Sequence, residues 1–173
     1  MVTRRSFLAF GAALALAGCA EPLLDQQVSS QLSVADVRVT ADSATVGGRE
    51  ISVPGRQIEE DVRGQVFAQL RMVANGSRPV IVEIDVARVQ LVSPAQALVI
   101  GSVSTITGVA QVIDANTGEI ILEPTEVKGS SDQVIPTGGL IGAALKAGTP
   151  PEKDYQQTIA GFAFDVRRKL WGE

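Results

Sequence analysis

Two separate stretches carry apolar residues at intervals of three and four: Ile58, Val62, Val66, Leu70, Val73, and later Tyr155, Ile159, Phe162, Val166, Leu170. Each set traces a single stripe along a helix. A one-striped helix is stable only when that stripe is buried against another element, so the intervening chain must supply an apolar surface. It does so by alternation. Val80, Val82, Ile84 and Val86 share one face of a strand, with Glu83 and Asp85 on the other. The phase then flips so that Val89 and Leu91 continue the apolar set, which predicts a bulge near Ala87-Arg88.

Other elements follow from local chemistry. Leu32, Val34, Val37 and Val39 mark a first strand whose alternation skips at Asp36, and Ala41–Gly48 reads as a loop. The first helix is expected over Arg56–Asn75, with Glu59, Glu60 and Asp61 in its first turn and Asn75-Gly76 as a left-handed stop. Gly64 either faces solvent or permits a close backbone approach. Ser93-Pro94 reads as a turn, and Leu98–Ile113 as a long strand that bends at Gly101 and Gly108. Asp114-Ala115-Asn116-Thr117-Gly118 is a hairpin signal; the returning strand, Glu119 to Ser130, contains Pro124 and so belongs at an edge. Thr149-Pro150-Pro151-Glu152 predicts a capping box with proline at the first helical position, and Arg167-Arg168-Lys169 match the negative end of that helix. The expectation is an α+β fold of order β-α-β-β-β-α. In it, two helices cover one face of a mostly antiparallel sheet of about four strands, a two-layer sandwich.

The N-terminus carries a different message. Arg4-Arg5 precede about ten weakly apolar residues, Phe7–Leu16, and then Leu16-Ala17-Gly18-Cys19. The order basic, apolar, small is that of an export signal, and the apolar part is well short of the roughly 20 residues a membrane span needs. Leu-Ala-Gly-Cys is a lipobox, which implies cleavage between Gly18 and Cys19 and acylation of the Cys19 thiol. Thr3-Arg4-Arg5-Ser6-Phe7-Leu8 resembles the twin-arginine export motif and departs from it at Ala9; the general secretory route stays open because the basic segment is short. Ala20, in place of aspartate after the cysteine, points to the periplasmic face of the outer membrane rather than the inner membrane. The expected organisation is therefore signal peptide 1–18, lipidated N-terminus and polar tether 19–31, and a single domain over 32–173.

Composition narrows the chemistry. Loss of the signal takes the formal charge from −4 to about −6, an unsuitable balance for nucleic acid. The chain has no histidine and one cysteine, so zinc, haem and iron–sulfur ligand sets and disulfides are excluded; carboxylate-only calcium or magnesium sites stay open, but no Asp-rich calcium loop is present, and no metal or cofactor is expected. The same lack removes serine–histidine and cysteine–histidine catalysis. Ser102, Ser104 and Thr105 read as hydroxyls on a solvated strand face, without a Gly-x-Ser-x-Gly elbow. Glu83 and Asp85 share a strand face and could form a carboxylate pair of the glycosidase type, although an exposed polar sheet face explains them better. Gly138–Gly142 lacks the Gly-Lys-Ser/Thr of a phosphate loop. Its apolar residues Leu140 and Ile141, with Leu145, are candidates for contact with a partner or lipid, against the alternative of a loop tucked on the core. Arg167, Arg168 and Lys169 are secondary candidates for lipid phosphates.

In this architecture the chain resembles small periplasmic lipoproteins with two helices on a four-stranded sheet, such as the lipopolysaccharide-assembly lipoprotein and the auxiliary lipoproteins of ABC-type lipid transporters. The run Gly101–Val112, the Asp114–Gly118 turn, the Gly-Leu-Ile-Gly segment and the final helix are similar to a group of uncharacterised alphaproteobacterial twin-arginine-signal lipoproteins. The resemblance implies a non-enzymatic, membrane-anchored accessory that binds an envelope protein. The alternative is a carrier or sensor of a lipid or other small apolar molecule; an enzyme is the third reading.

Overall fold

The computed structural model describes residues 21–49, 51–100, 103–131, 144 and 148–172. Within them the chain runs α1 (Gln26–Ser29), β1 (Leu32–Thr40), β2 (Thr45–Gly47), α2 (Gly55–Leu70), β3 (Arg78–Gln90), α3 (Pro94–Ile100), β4 (Thr105–Asp114), β5 (Ile120–Ser130) and α4 (Pro151–Trp171). The fold is α+β with a mixed, open sheet of five strands among the described residues, in the order β1-β3-β4-β5. The short strand β2 pairs with β3 beyond the end of β1, from Thr45↔Arg88 to Gly47↔Gln90.

The mostly antiparallel sheet expected from the sequence is corrected here. β1 and β2 both run parallel to β3, whereas β3–β4 and β4–β5 are antiparallel. The cause is α2: a helix inserted between paired strands acts as a crossover and returns the chain in the same direction. Residues 45–47, read as part of a loop, form β2, whose Val46 packs against the core. Both phase skips become bulges, between Val34 and Asp36 on β1 and between Val86 and Arg88 on β3.

One core lies between the sheet and α2 with α4. Val80, Val82, Ile84, Val86 and Val89 of β3 are buried with Ile58, Val62, Val66 and Leu70 of α2 and Tyr155, Ile159, Phe162, Val166 and Leu170 of α4. On α4 the buried arc is wider than the apolar stripe, because Gly161 lies against the Ser130 carbonyl and Gly129 against the Phe162 backbone. A Cβ at either glycine would collide with that backbone. Helix and edge strand are therefore in direct main-chain contact.

Four local expectations change. α2 starts at Gly55, so no acidic residue lies in its first turn, and it ends at Leu70. Gly76 does not have a positive φ; its place is set by contact with the Gln31 backbone, where no side chain fits. Part of the long strand expected from Leu98 is instead α3, which begins with a reciprocal cap: Ser93 N donates to Gln96 Oε1 at 3.0 Å and Gln96 N to Ser93 Oγ at 3.3 Å. This Ser-Pro-Ala-Gln box with proline at the first helical position outweighs the β-branched residues that follow. α4 has Pro150 at its N-cap and no side-chain cap, so Thr149 does not form the expected box, although Pro151 does open the helix.

The polar stretch expected as a tether is packed onto the body. Leu23 N and Leu24 N donate to the carbonyls of Lys169 and Leu170 at 2.8 and 3.2 Å, Leu24 is buried in the core, and residues 26–29 form α1. Leu24 and Val28 supply the apolar contacts that hold it there.

Candidate functional site

Among the expected site residues, Arg4, Arg5, Gly18, Cys19, Ser102, Leu140, Ile141 and Leu145 lie outside the described residues. The remaining candidates separate into an exposed polar network on the open sheet face and a buried cluster at one end of the helices.

Glu83 and Asp85 do share the open face, and both are bound to neighbouring strands. Arg38 Nη1 donates to Glu83 Oε1 at 3.1 Å and Gln111 Nε2 to Glu83 Oε2 at 2.6 Å, while Thr40 Oγ1 donates to Asp85 Oδ1 at 3.1 Å. Next to them Arg63 Nη2 donates to Asp36 Oδ1 at 3.0 Å and holds that carboxyl below the ordinary aspartate range. The Arg38, Thr40 and Gln111 bonds form a cross-strand lattice of the kind that ties strands together, and Arg63 reaches its edge from α2. It leaves Glu83 with a charged partner on β1 and an amide partner on β4.

Ser104 is not on a solvated face. It is fully buried and sits at the centre of a cluster the sequence reading missed. Val92 N donates to Ser104 Oγ at 2.9 Å, and Ser104 Oγ donates to Asp154 Oδ2 at 2.8 Å. Asp154 is also fully buried and lies 3.6 Å from Arg49 Nη1, which donates to the Thr149 carbonyl at 2.9 Å. Ser131 N closes on the Ser104 carbonyl at 3.0 Å. The cluster thus fastens the chain after β2, β3 and β5 and before β4 to the start of α4. A nucleophilic serine needs access and a base that accepts its proton during attack; Ser104 has no exposure and its hydroxyl is engaged on both sides. A readable trace of the cluster does exist. Asp154, Thr158, Gly161 and Asp165 recur at four, three and four residues beside the apolar stripe, and all are buried.

A second buried group is Tyr155. Burial, and after it the Asp61 carboxylate beside it, pushes the phenol far above its usual range, so it stays protonated. Tyr155 Oη and Asp61 Oδ2 lie close without reaching hydrogen-bond geometry among the described residues. Arg78, Asp114 and Glu119 form a third set, at the β4–β5 turn. Arg78 Nε donates to Asp114 Oδ2 at 2.6 Å and Arg78 Nη2 to Glu119 Oε2 at 3.0 Å, while Asp114 Oδ1 accepts the amides of Asn116 and Thr117. The Arg78 bond, then the two amides, holds Asp114 down at about 2. This set explains the hairpin, with Gly118 at φ 73° completing the turn.

Arg168 pairs with Asp165 at 3.0 Å, Lys169 Nζ donates to the Glu126 carbonyl at 2.5 Å, and Arg167 lies over the Phe164 ring. No group of three or more metal-ligating side chains occurs among the described residues. No helix among them is long and apolar enough to cross a membrane.

No family profile matches this chain, and no curated protein does. Among solved structures it is similar to a Xanthomonas campestris protein of the DUF330 family, with TM-score 0.45 and 8% identity over 87% of this chain and 92% of that one. It is also similar to a candidate lipoprotein of Caulobacter crescentus CB15, with TM-score 0.36 and 13% identity over 79% and 88% of the two chains.

Proposed function

We propose that this protein is a lipid-anchored envelope lipoprotein that acts by binding another envelope protein and carries out no catalysis of its own. The observation that carries this reading is the lipobox Leu16-Ala17-Gly18-Cys19 behind Arg4-Arg5. Acylation at Cys19 with more than one chain gives stable anchoring, where one chain alone would be marginal. Ala20 supports an anchor at the outer membrane, facing the periplasm, and the resemblance to the twin-arginine motif supports export of the folded chain. The accessory role is supported by the absence of histidine and by the engagement of Ser104, Glu83 and Asp85 in structural bonds. Leu140, Ile141 and Leu145 remain the proposed contact segment.

Metabolic labelling with palmitate tests the anchor: the native chain takes up label, and Cys19→Ser loses both label and membrane fractionation while its circular dichroism is unchanged. A Cys19→Ser chain that still fractionates with membranes would overturn it. Gentle detergent extraction followed by co-purification tests the accessory role, with a defined envelope partner as the expected result.

A further inference from the structure

The position of the lipobox relative to the folded body has a consequence for how the body meets the membrane. Among the described residues, contacts with the body begin at Pro22. Pro22 packs beside Gly172, and Leu23 and Leu24 are hydrogen-bonded to the last turn of α4. Only two residues, Ala20 and Glu21, separate Cys19 from Pro22, a reach of about 11 Å over three extended steps. The headgroup layer of one leaflet is itself roughly 5–8 Å thick. An acyl chain at Cys19 therefore leaves almost no slack between the lipid and the C-terminal end of α4.

That end gathers several parts of the chain. Gly76 N and Arg78 N donate to the carbonyls of Leu32 and Gln31, which brings the segment after α2 beside the start of β1. Arg78 in turn holds the β4–β5 turn through Asp114 and Glu119. Four large apolar residues are exposed among those described: Leu23 (36%), Met72 (56%), Ile120 (48%) and Val109 (40%). The first three belong to this end, as the residues before α1, after α2 and after the β4–β5 turn. Two arginines accompany them, each closing the final turns of a helix over an aromatic ring: Arg71 over Phe67 at 5.6 Å and Arg167 over Phe164 at 4.9 Å. Exposed apolar side chains flanked by arginine suit the boundary between headgroups and acyl chains.

We infer that this end of the molecule, marked by Leu23, Met72 and Ile120, is a membrane-contact surface that rests on the phospholipid headgroups in which Cys19 is anchored. The inference depends on the proposed acylation of Cys19. It holds the body directly against the bilayer, with the α4 axis rising from the surface and the buried Arg49–Asp154–Ser104 end directed away from it.

The test uses the full chain, exported, lipidated and reconstituted into phosphatidylethanolamine–phosphatidylglycerol vesicles. Cys19 is the sole cysteine and its thiol is consumed by lipid, so one introduced cysteine takes a fluorescent label uniquely. Labels go at Leu23→Cys, Met72→Cys and, as the distal control, Ser43→Cys, roughly 30 Å away along β3. Nitroxide-bearing phospholipids serve as the quencher. Intact mass first establishes the lipid adduct, and circular dichroism the fold. The expected result is an adduct at Cys19 with labels at 23 and 72 quenched several-fold more than the label at 43. An adduct with all three labels equally unquenched overturns the contact surface and leaves the anchor standing. A chain without an adduct overturns the anchoring reading and this inference with it.

Discussion

Ser104 and Tyr155 each bury one hydroxyl, and the two differ in what that hydroxyl does. Ser104 Oγ accepts the Val92 amide and donates to Asp154, so Ser104→Ala strands a buried N–H and takes one donor from the Asp154 carboxylate. The cost is about 1–3 kcal/mol, the desolvation penalty of groups left unmade. Tyr155 Oη makes no such bond, and Tyr155→Phe is expected to change stability by less than about 0.5 kcal/mol or to raise it. Urea unfolding of the two variants checks the contrast. Asp114, like Asp36, carries a pH dependence. Its carboxyl is depressed from 3.8 to about 2, so its contribution is complete above the unfolded value and is lost as pH falls from 3.8 through about 2. Asp114→Asn lacks that component; its melting temperature is lower at neutral pH and falls less steeply than that of the native chain across this acid window.

The same substitution has opposite signs in the two long helices. Gly64 of α2 has nothing within 4 Å of where a Cβ would stand, so Gly64→Ala is expected to stabilise by about 1 kcal/mol through helix propensity alone. Gly161 of α4 is pressed against the Ser130 carbonyl, and Gly161→Ala is expected to destabilise by about 1–3 kcal/mol because helix and strand must separate. Thermal unfolding of both variants decides between this account and one in which propensity governs both positions. The helices also share a device at the sheet edges. On α2, Glu59 accepts the Ala41 amide at 3.0 Å and Arg63 donates to the Val37 carbonyl at 2.9 Å. On α4, Asp165 accepts the Ser130 amide at 3.2 Å and Lys169 donates to the Glu126 carbonyl. In each helix an acid and a base four residues apart occupy backbone groups of an edge strand, and Pro124 gives β5 one fewer exposed donor.

For the molecule as a unit, these pairs occupy backbone groups at both edges of an open sheet, where strand addition is a recognised route to aggregation. Glu59→Ala/Arg63→Ala and Asp165→Ala/Lys169→Ala should each lose about 1–2 kcal/mol of stability and acquire concentration-dependent association. Static light scattering on a dilution series reads the association; variants that stay monomeric throughout would show that the edges are protected by other means. The opposite ends of the body are also unlike. One end is tied by the buried Arg49–Asp154–Ser104 cluster, the other by exposed Leu23, Met72 and Ile120 around the α4 C-terminus.

Much of this architecture is written in the chain itself. The stripes of α2 and α4, the alternation of β3, its bulge after Val86 and the Asp114–Gly118 turn are legible because each depends on neighbours within a few residues, where periodicity and turn chemistry act directly. The lipobox reading is also local, being a contiguous motif, and palmitate labelling is what tests it. The parallel placement of β1 and β2, the conversion of 94–100 to helix and the docking of residues 23–31 were settled only by tertiary structure. So was the burial of Ser104 with Asp154, which are 50 residues apart. A strand's direction depends on which partner the crossover brings beside it, and a serine's burial depends on which helix lies over it. Such pairings join distant segments, so no local window of sequence contains them.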